Sequence, residues 1–259
     1  MKRSSSIKSI AKAYNVLKAL SFNLNSIRDI SREVQLSGPT VYRLLTTMKE
    51  IGLVFQDPKT HQYYIGYSLA KLAENSVALH QSLIYVAQEK MAYLHNKTGE
   101  TIVLDIKEGI EAVRLYRLTG TRSISYLDKR TKFAIWSGAI GRTLLSQLTE
   151  EEIDIIINNV SLVSLTPKTI VDKKQIKIEI DKVRQRGYTV SLGEVDLDVG
   201  AIAAPLENYL VPAAISIIGP EERIASRLLD FIDELINKTT EISEDLLKLK
   251  NYFTKKITK

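Results

Sequence analysis

Residues Gln35–Val54 read QLSGPTVYRLLTTMKEIGLV. Ser37 is placed to cap a helix, and Pro39 is tolerated in its first turn because the amide that proline lacks has no partner there. Val41, Leu44, Leu45, Met48 and Ile51 recur at helical spacing and form the stripe to be buried. Gly52 ends the run, as glycine does just past a helix C-terminus. The outward positions carry hydroxyls and cations: Thr40, Tyr42, Arg43, Thr46, Thr47 and Lys49. A helix entered through a tight Ser-Gly-Pro turn and carrying this outer face is suited to a polyanion.

The flanks complete a module. IKSIAKAYNVLKALSF (residues 7–22) places Ile7, Ile10, Tyr14, Leu17 and Leu20 at helical spacing. Ser26 is the N-cap of a short helix IRDISREVQ, with Asp29 three residues on, and Ile27, Ile30 and Val34 share one face. After Gly52, LVFQD and QYYIGY are two strand-like runs joined by PKTH, with Pro58 in the connection. Helix, short helix, tight turn, longer helix, hairpin is the order of a winged helix-turn-helix over residues 1–66.

Charge supports that reading. The 259-residue chain has a net charge of +6. Residues 1–66 hold ten Lys/Arg against four Asp/Glu, so the remainder balances at 26 against 26. A basic module joined to a neutral one suggests that only the first faces a polyanion. The partner expected is double-stranded DNA. The third helix enters the major groove with its N-terminal half nearest the base edges. Arg43 can donate two hydrogen bonds to a guanine, and Thr40 can touch a base or a phosphate. Ser37, Gly38 and Pro39 at the helix start, and Tyr42, Thr46 and Thr47 along it, complete the face. Lys12 and Arg28 neutralise phosphates from the flanking helices, and Lys59, His61 and Gln62 occupy the wing tip. The alternative is a basic module that docks to protein, attached to a metabolite-sensing or enzymatic α+β domain.

Residues 67–81 read as a linker helix, within a helical region that runs to Gly99 with a break near Ser82. Leu69, Leu72, Ala73, Ser76, Val77 and His80 make a narrow strip that either pairs with its copy in a dimer or packs on its own domain. Residues 82–259 form the second domain. ETIVLDIKEG, EAVRLYRLTG and TRSISYLD read as strands, SGAIGRTLLSQL as a helix start, and EEEIDIIINNV and DKKQIKIEIDKVRQRGY as helices. Strands return at TVSLGEV, VGAIAAPLEN and LVPAAISIIGP, and two helices close the chain. The fold class is α+β with a mainly antiparallel sheet.

Chemistry is sparse. No cysteine is present, and His61, His80 and His95 lack metal-ligand spacing. No nucleophile elbow or phosphate-binding loop occurs. No metal, cofactor or enzymatic activity is expected. Glu194, Asp196 and Asp198 form an acidic run that suits a metal or a polar ligand, but such a run is more often a solvated loop and is read as one. No apolar stretch reaches a membrane span or a signal peptide, so a cytoplasmic protein is expected.

The blocks IAKAYNVLKAL, LSGPTVYRLLTTMKEIGLV and YYIGYSLAKLA, followed in order by SGAIGRTLLSQL, VRQRGYTV, GAIAAPL and AAISIIGPEER, resemble the IclR-type transcriptional regulators over nearly the full length. The resemblance implies a winged helix joined by a linker helix to a GAF-like mixed α/β effector domain. It implies a homodimer or homotetramer on partly palindromic operators, controlling catabolic or transport genes. It also implies a small organic effector, such as an organic or aromatic acid or a sugar-derived metabolite. Carried over position by position, its pocket is lined by Ala139 and Ile140 at a helix start, with Ser191 and Leu192 where acids are frequent. Val199 and Ala201 lie on the next strand, and Ser216 and Ile218 on the last. Trp136 stands where a histidine is usual, either as a stacking surface or as core. Ala201 replaces a common cysteine, so the pocket is more apolar than in acid-sensing relatives. Gly38 replaces a frequent lysine and removes one expected phosphate contact.

Overall fold

The computed structural model describes residues 7–72, 80–126 and 130–257. The chain divides into two compact units, residues 1–79 and 80–259.

In the first unit α1 (Lys8–Ser21), α2 (Ile27–Val34) and α3 (Gly38–Glu50) precede a hairpin of β1 (Val54–Gln56) and β2 (Tyr63–Ile65), then α4 (Tyr67–Leu72). Ser26 Oγ accepts the Asp29 amide at 3.1 Å and donates to the Asp29 carboxylate at 2.6 Å, which closes the first turn of α2. Gln35 ends α2 in the left-handed conformation, with φ 52°. Ser37 takes the N-cap position of α3, but its hydroxyl lies 2.9 Å from the Thr40 hydroxyl instead of capping an amide.

Val16, Leu20, Ile30, Val41, Leu45 and Met48 form the centre of the three-helix core. Three stripe residues near helix ends depart from the periodicity. Ile7 and Ile10 are 64% and 66% exposed, because α1 begins before the body it packs on and buries only its second half. Ile51 is 60% exposed, since it is the C-cap of α3 and no longer follows the helical phase. Leu69 and Leu72 lie on α4, whereas Ala73, Ser76 and Val77 lie outside the described residues.

The second unit opens with α5 (Gln81–Thr98), then β3 (Thr101–Glu108), β4 (Glu111–Leu118) and β5 (Lys132–Ala134). There follow α6 (Gly138–Leu145), α7 (Glu150–Asn159), α8 (Lys173–Arg186), β6 (Thr189–Leu192), β7 (Val199–Leu206) and β8 (Ala213–Pro220). The last helices are α9 (Glu221–Ser226) and α10 (Leu228–Ile257). The sheet order is β5-β4-β3-β8-β7-β6, antiparallel throughout.

Period-two alternation splits the sheet between two cores. Ile102, Leu104, Ile215 and Ile217 pack with Leu83 and Met91 of α5 and Phe231 of α10. Ala112 and Ala214 point the other way, toward Leu144 of α6, Ile153 of α7 and Ile176 of α8. The sheet is therefore covered on both faces, which explains why its strands are apolar with little alternation.

One expected strand is absent. Residues 121–126 of TRSISYLD are not strand, and its last two residues lie outside the described ones. Arg122 donates to the Thr98 carbonyl at 3.1 Å, and the Gly120 amide donates to Thr101 Oγ1 at 3.0 Å. Side chains hold this segment, and the edge position beside β4 goes to β5. No helix among the described residues is long and apolar enough to cross a membrane.

Candidate functional sites

In the first unit Lys12 of α1 and Thr40, Arg43 and Thr47 of α3 meet, with Ser9 and Leu44, around a shallow concavity of about 280 Å³. Tyr42 and Arg43 are exposed beside it, and Arg28 is exposed on α2. Among the described residues Lys12, Arg28, Arg43 and Lys59 have no acidic partner, while the ion pairs found there all lie in the second unit. Lys12 and Arg43, left unpaired on one face, are free to neutralise phosphates.

The threonines are less free. Thr46 and Thr47 donate to the Tyr42 and Arg43 carbonyls at 2.9 and 3.1 Å, so their hydroxyls can accept from a ligand but have already spent their hydrogens.

The wing turn is built by Asp57, whose carboxylate accepts the Lys59 amide and the Thr60 hydroxyl, both at 2.8 Å. Those bonds hold its carboxyl below the usual range. The turn presents Lys59, His61 and Gln62 as exposed residues, and Gln62 Oε1 accepts from the Tyr64 hydroxyl at 2.9 Å. Gly66 closes the hairpin against the end of α3: a Cβ there would lie 2.2 Å from the Gly52 carbonyl oxygen.

In the second unit a cavity of about 60 Å³ lies between the sheet and the start of α6. Ala112, Phe133, Ile140, Val199, Ala201 and Ile218 give it apolar walls. Gly138 takes φ +66° there, and a Cβ would meet Val195 Cγ2 at 2.6 Å, so only glycine brings the helix start this close to the wall. At the rim Tyr126 and Arg130 both donate to the Asp196 carboxylate, at 2.9 and 3.0 Å.

Charge is buried on the same face of the sheet. Arg114 lines the cavity and donates from Nε to Asp105 Oδ1 at 3.0 Å, with its guanidinium 4.4 Å from the Phe133 ring centre. Desolvation pushes the Asp105 carboxyl up to about 6 against the opposing pull of Arg114. Arg114 Nη1, Asp105 Oδ2 and Ser216 Oγ are buried without hydrogen-bond partners. Arg142 of α6 and Glu194 form a separate two-point pair at 2.5 and 2.8 Å, and Arg142 also reaches the Val190 carbonyl at 3.2 Å. The acidic run is only partly a solvated loop: Asp198 is exposed and Asp196 is partly exposed at the rim, whereas Glu194 is buried against Arg142. No three-residue metal cluster occurs among the described residues.

Of the effector positions expected from sequence, Ala139, Ile140, Ser191, Val199, Ala201 and Ile218 line this cavity. Leu192 follows Ser191 on the same strand and therefore points to the opposite face, where it packs on the other core. Ser216 shares the cavity face with Ile218 but is not a lining residue. Trp136 is 4% exposed and borders a separate surface depression with Lys132, Asn159 and Val160. Arg114, Tyr126 and Phe133 line the cavity without having been expected, and Asp196 lines it from the acidic run. A signal existed for Arg114: Asp105 interrupts the apolar run IVLDI in a strand buried on both faces, and such a charge requires a partner.

Residues 9–58 match the IclR helix-turn-helix domain, and residues 75–244 match the bacterial transcriptional regulator IclR C-terminal domain. The HTH-type transcriptional regulator KipR of Bacillus subtilis is 30% identical over 213 residues, covering 80% of this chain and 84% of KipR. The crystal structure of the Thermotoga maritima IclR superposes with a TM-score of 0.62 at 26% identity, covering 93% of this chain and 99% of that one. An IclR homolog from Microbacterium hydrocarbonoxydans, complexed with 4-hydroxybenzoate, superposes with a TM-score of 0.60 at 21% identity and covers 93% of this chain and 99% of that one. The chain therefore belongs to the IclR family of DNA-binding transcriptional regulators.

Proposed function

We propose that α3 reads operator DNA and that the cavity beside α6 receives a small organic effector that sets DNA affinity. Two copies, or a pair of dimers, engage a partly palindromic operator, with α4 and the rest of residues 67–81 as the linker between residues 1–66 and 82–259. The protein works in the cytoplasm and catalyses no reaction. The observation that carries this reading is the face shared by Lys12, Thr40 and Arg43, whose cations have no acidic partner among the described residues. Arg28, Lys59 and Gln62 extend it, and Ser37, Gly38 and Pro39 place the start of α3 at its edge. The bound 4-hydroxybenzoate of the Microbacterium homolog supports a small-molecule role for the second unit. Two half-sites must lie about one helical turn apart, roughly 34 Å, so an effector that prefers one arrangement of the two copies alters binding.

Footprinting tests the DNA half. Arg43→Ala should lose about 1–3 kcal/mol of specific binding and relax preference at one base pair. Unchanged protection of the operator by that variant would remove α3 as the reading element.

A further inference from the structure

We infer that Gln62, at the tip of the hairpin, selects A·T over G·C base pairs in the minor groove beside each half-site, and that Tyr64 orients its amide for that task. This rests on the reading of the first unit as the DNA-binding element and names a second base-reading residue in it.

The tip has its acceptors engaged within the turn. Asp57 uses one carboxylate oxygen on the Lys59 amide and the other on the Thr60 hydroxyl. Thr60 Oγ1 in turn accepts the Gln62 backbone amide at 3.4 Å. The Asp57 amide donates to the Gln62 carbonyl, and the His61 amide to the Asp57 carbonyl, both at 2.9 Å. Gln56 donates to the His61 carbonyl at 3.3 Å and accepts from Lys49 Nζ at 3.0 Å, which ties the tip to the last turn of α3. Gln62 and Tyr64 lie two residues apart and share the exposed face, while Tyr63 between them is buried. The Tyr64 hydroxyl donates to Gln62 Oε1 at 2.9 Å. That bond decides which end of the amide is open. Nε2 carries two donors and has no partner among the described residues.

In the minor groove an A·T pair shows only acceptors, adenine N3 and thymine O2, and a G·C pair adds the guanine N2 amino donor. An amide held with its nitrogen outward bonds the first and meets the donor of the second. A glutamine free to rotate tells the two apart poorly, because it presents either end. The Tyr64 hydrogen bond therefore turns a general polar contact into a selective one. Lys59 beside it supplies charge to the phosphates that line the groove. The tether through Gln56 and Lys49 holds the tip at a set reach from the helix in the major groove, so the preference falls at a fixed distance from the base pair that Arg43 reads.

The test uses the full-length protein and a duplex that it enriches from random-sequence DNA. On each flank of the Arg43-dependent base pair, single positions are set in turn to A·T, G·C, inosine·C and diaminopurine·T. Inosine lacks the minor-groove amino group of guanine, and diaminopurine adds that group to an A·T pair. At the position under the wing, A·T and inosine·C should bind alike, about five- to tenfold more tightly than G·C and diaminopurine·T. Gln62→Ala should bring all of them within about twofold of one another. Tyr64→Phe releases the amide, so it should keep A·T binding within about twofold of wild type and lose most of the penalty on G·C. Discrimination that survives Gln62→Ala overturns Gln62 as the reader, and discrimination that survives Tyr64→Phe overturns Tyr64 as the positioning residue. Inosine·C that binds as weakly as G·C, or no A·T preference on either flank, overturns the minor-groove reading. Failure of the wild type to enrich any duplex overturns the DNA-binding reading on which the inference rests.

Discussion

Asp105 is a carboxylate on a strand whose neighbours are Leu104 and Ile106, and it is fully buried. Burial raises its carboxyl to about 6, so between the ordinary value of 3.8 and that value the folded protein holds a proton that the unfolded chain releases. Stability from this group is therefore greatest at low pH and is lost as pH rises through that window, by about 3 kcal/mol at 1.36 kcal/mol per unit. Asp105→Asn removes the titration. The difference in unfolding free energy between variant and wild type should shift in the variant's favour by about that amount from pH 4 to pH 7. Denaturant titrations at both pH values measure it, and a difference independent of pH would refute the assignment. Arg142 and Glu194 behave differently, because they meet at two points. Arg142 is 1% exposed, and Glu194→Gln would leave its charge buried and unmatched, at a cost of about 3–5 kcal/mol. Glu194 also sits in a segment whose carbonyls accept from Thr166 and Thr169, at 2.7 and 2.6 Å, so the variant should bind cavity ligands less tightly as well.

At the level of elements, local chemistry was well written in the sequence. Ser26 with Asp29, Gly52 and the connection around Pro58 fixed three helices and a hairpin in order, because caps and turns depend on near neighbours. Positions that depend on what lies across the fold were harder to read. Ile7 and Ile10 carry helical spacing, yet nothing within the helix says where the core beneath it begins. Ser191 and Leu192 were assigned to one pocket by likeness, although the pleat of β6 sends neighbours to opposite faces. Arg114 went unnoticed because its pairing with Asp105 spans two strands and a β-bulge. Gly66 is another such position, since its need for glycine comes from the backbone of residues 52–54. Gly66→Ala should separate the hairpin from the end of α3, at a cost of about 1–3 kcal/mol to the first unit. Hydrogen exchange should rise over residues 41–65 with the second unit unchanged, and operator affinity should fall. Undisturbed protection there would show that the contact is absorbed elsewhere.

At the level of the whole molecule, charge is divided between the units. Residues 1–66 carry ten Lys/Arg against four Asp/Glu, and the remainder is balanced at 26 against 26. Ion pairs consume cations in the second unit, while Lys12 and Lys59 have no acidic partner among the described residues. DNA binding should therefore weaken steeply with salt, since each phosphate neutralised contributes about 0.9 to the slope of log K against log salt. Lys12→Ala and Lys59→Ala should weaken specific and non-specific DNA alike, whereas Arg43→Ala should act mainly on specific DNA. The slope also counts copies. One lysine per chain removes about one contact from a monomer but about two from a dimer seated on both half-sites. A slope reduced by about two in Lys12→Ala would place a pair of chains on the operator. A reduction of about one would leave a single reading head engaged, and an unchanged slope would take Lys12 off the DNA backbone.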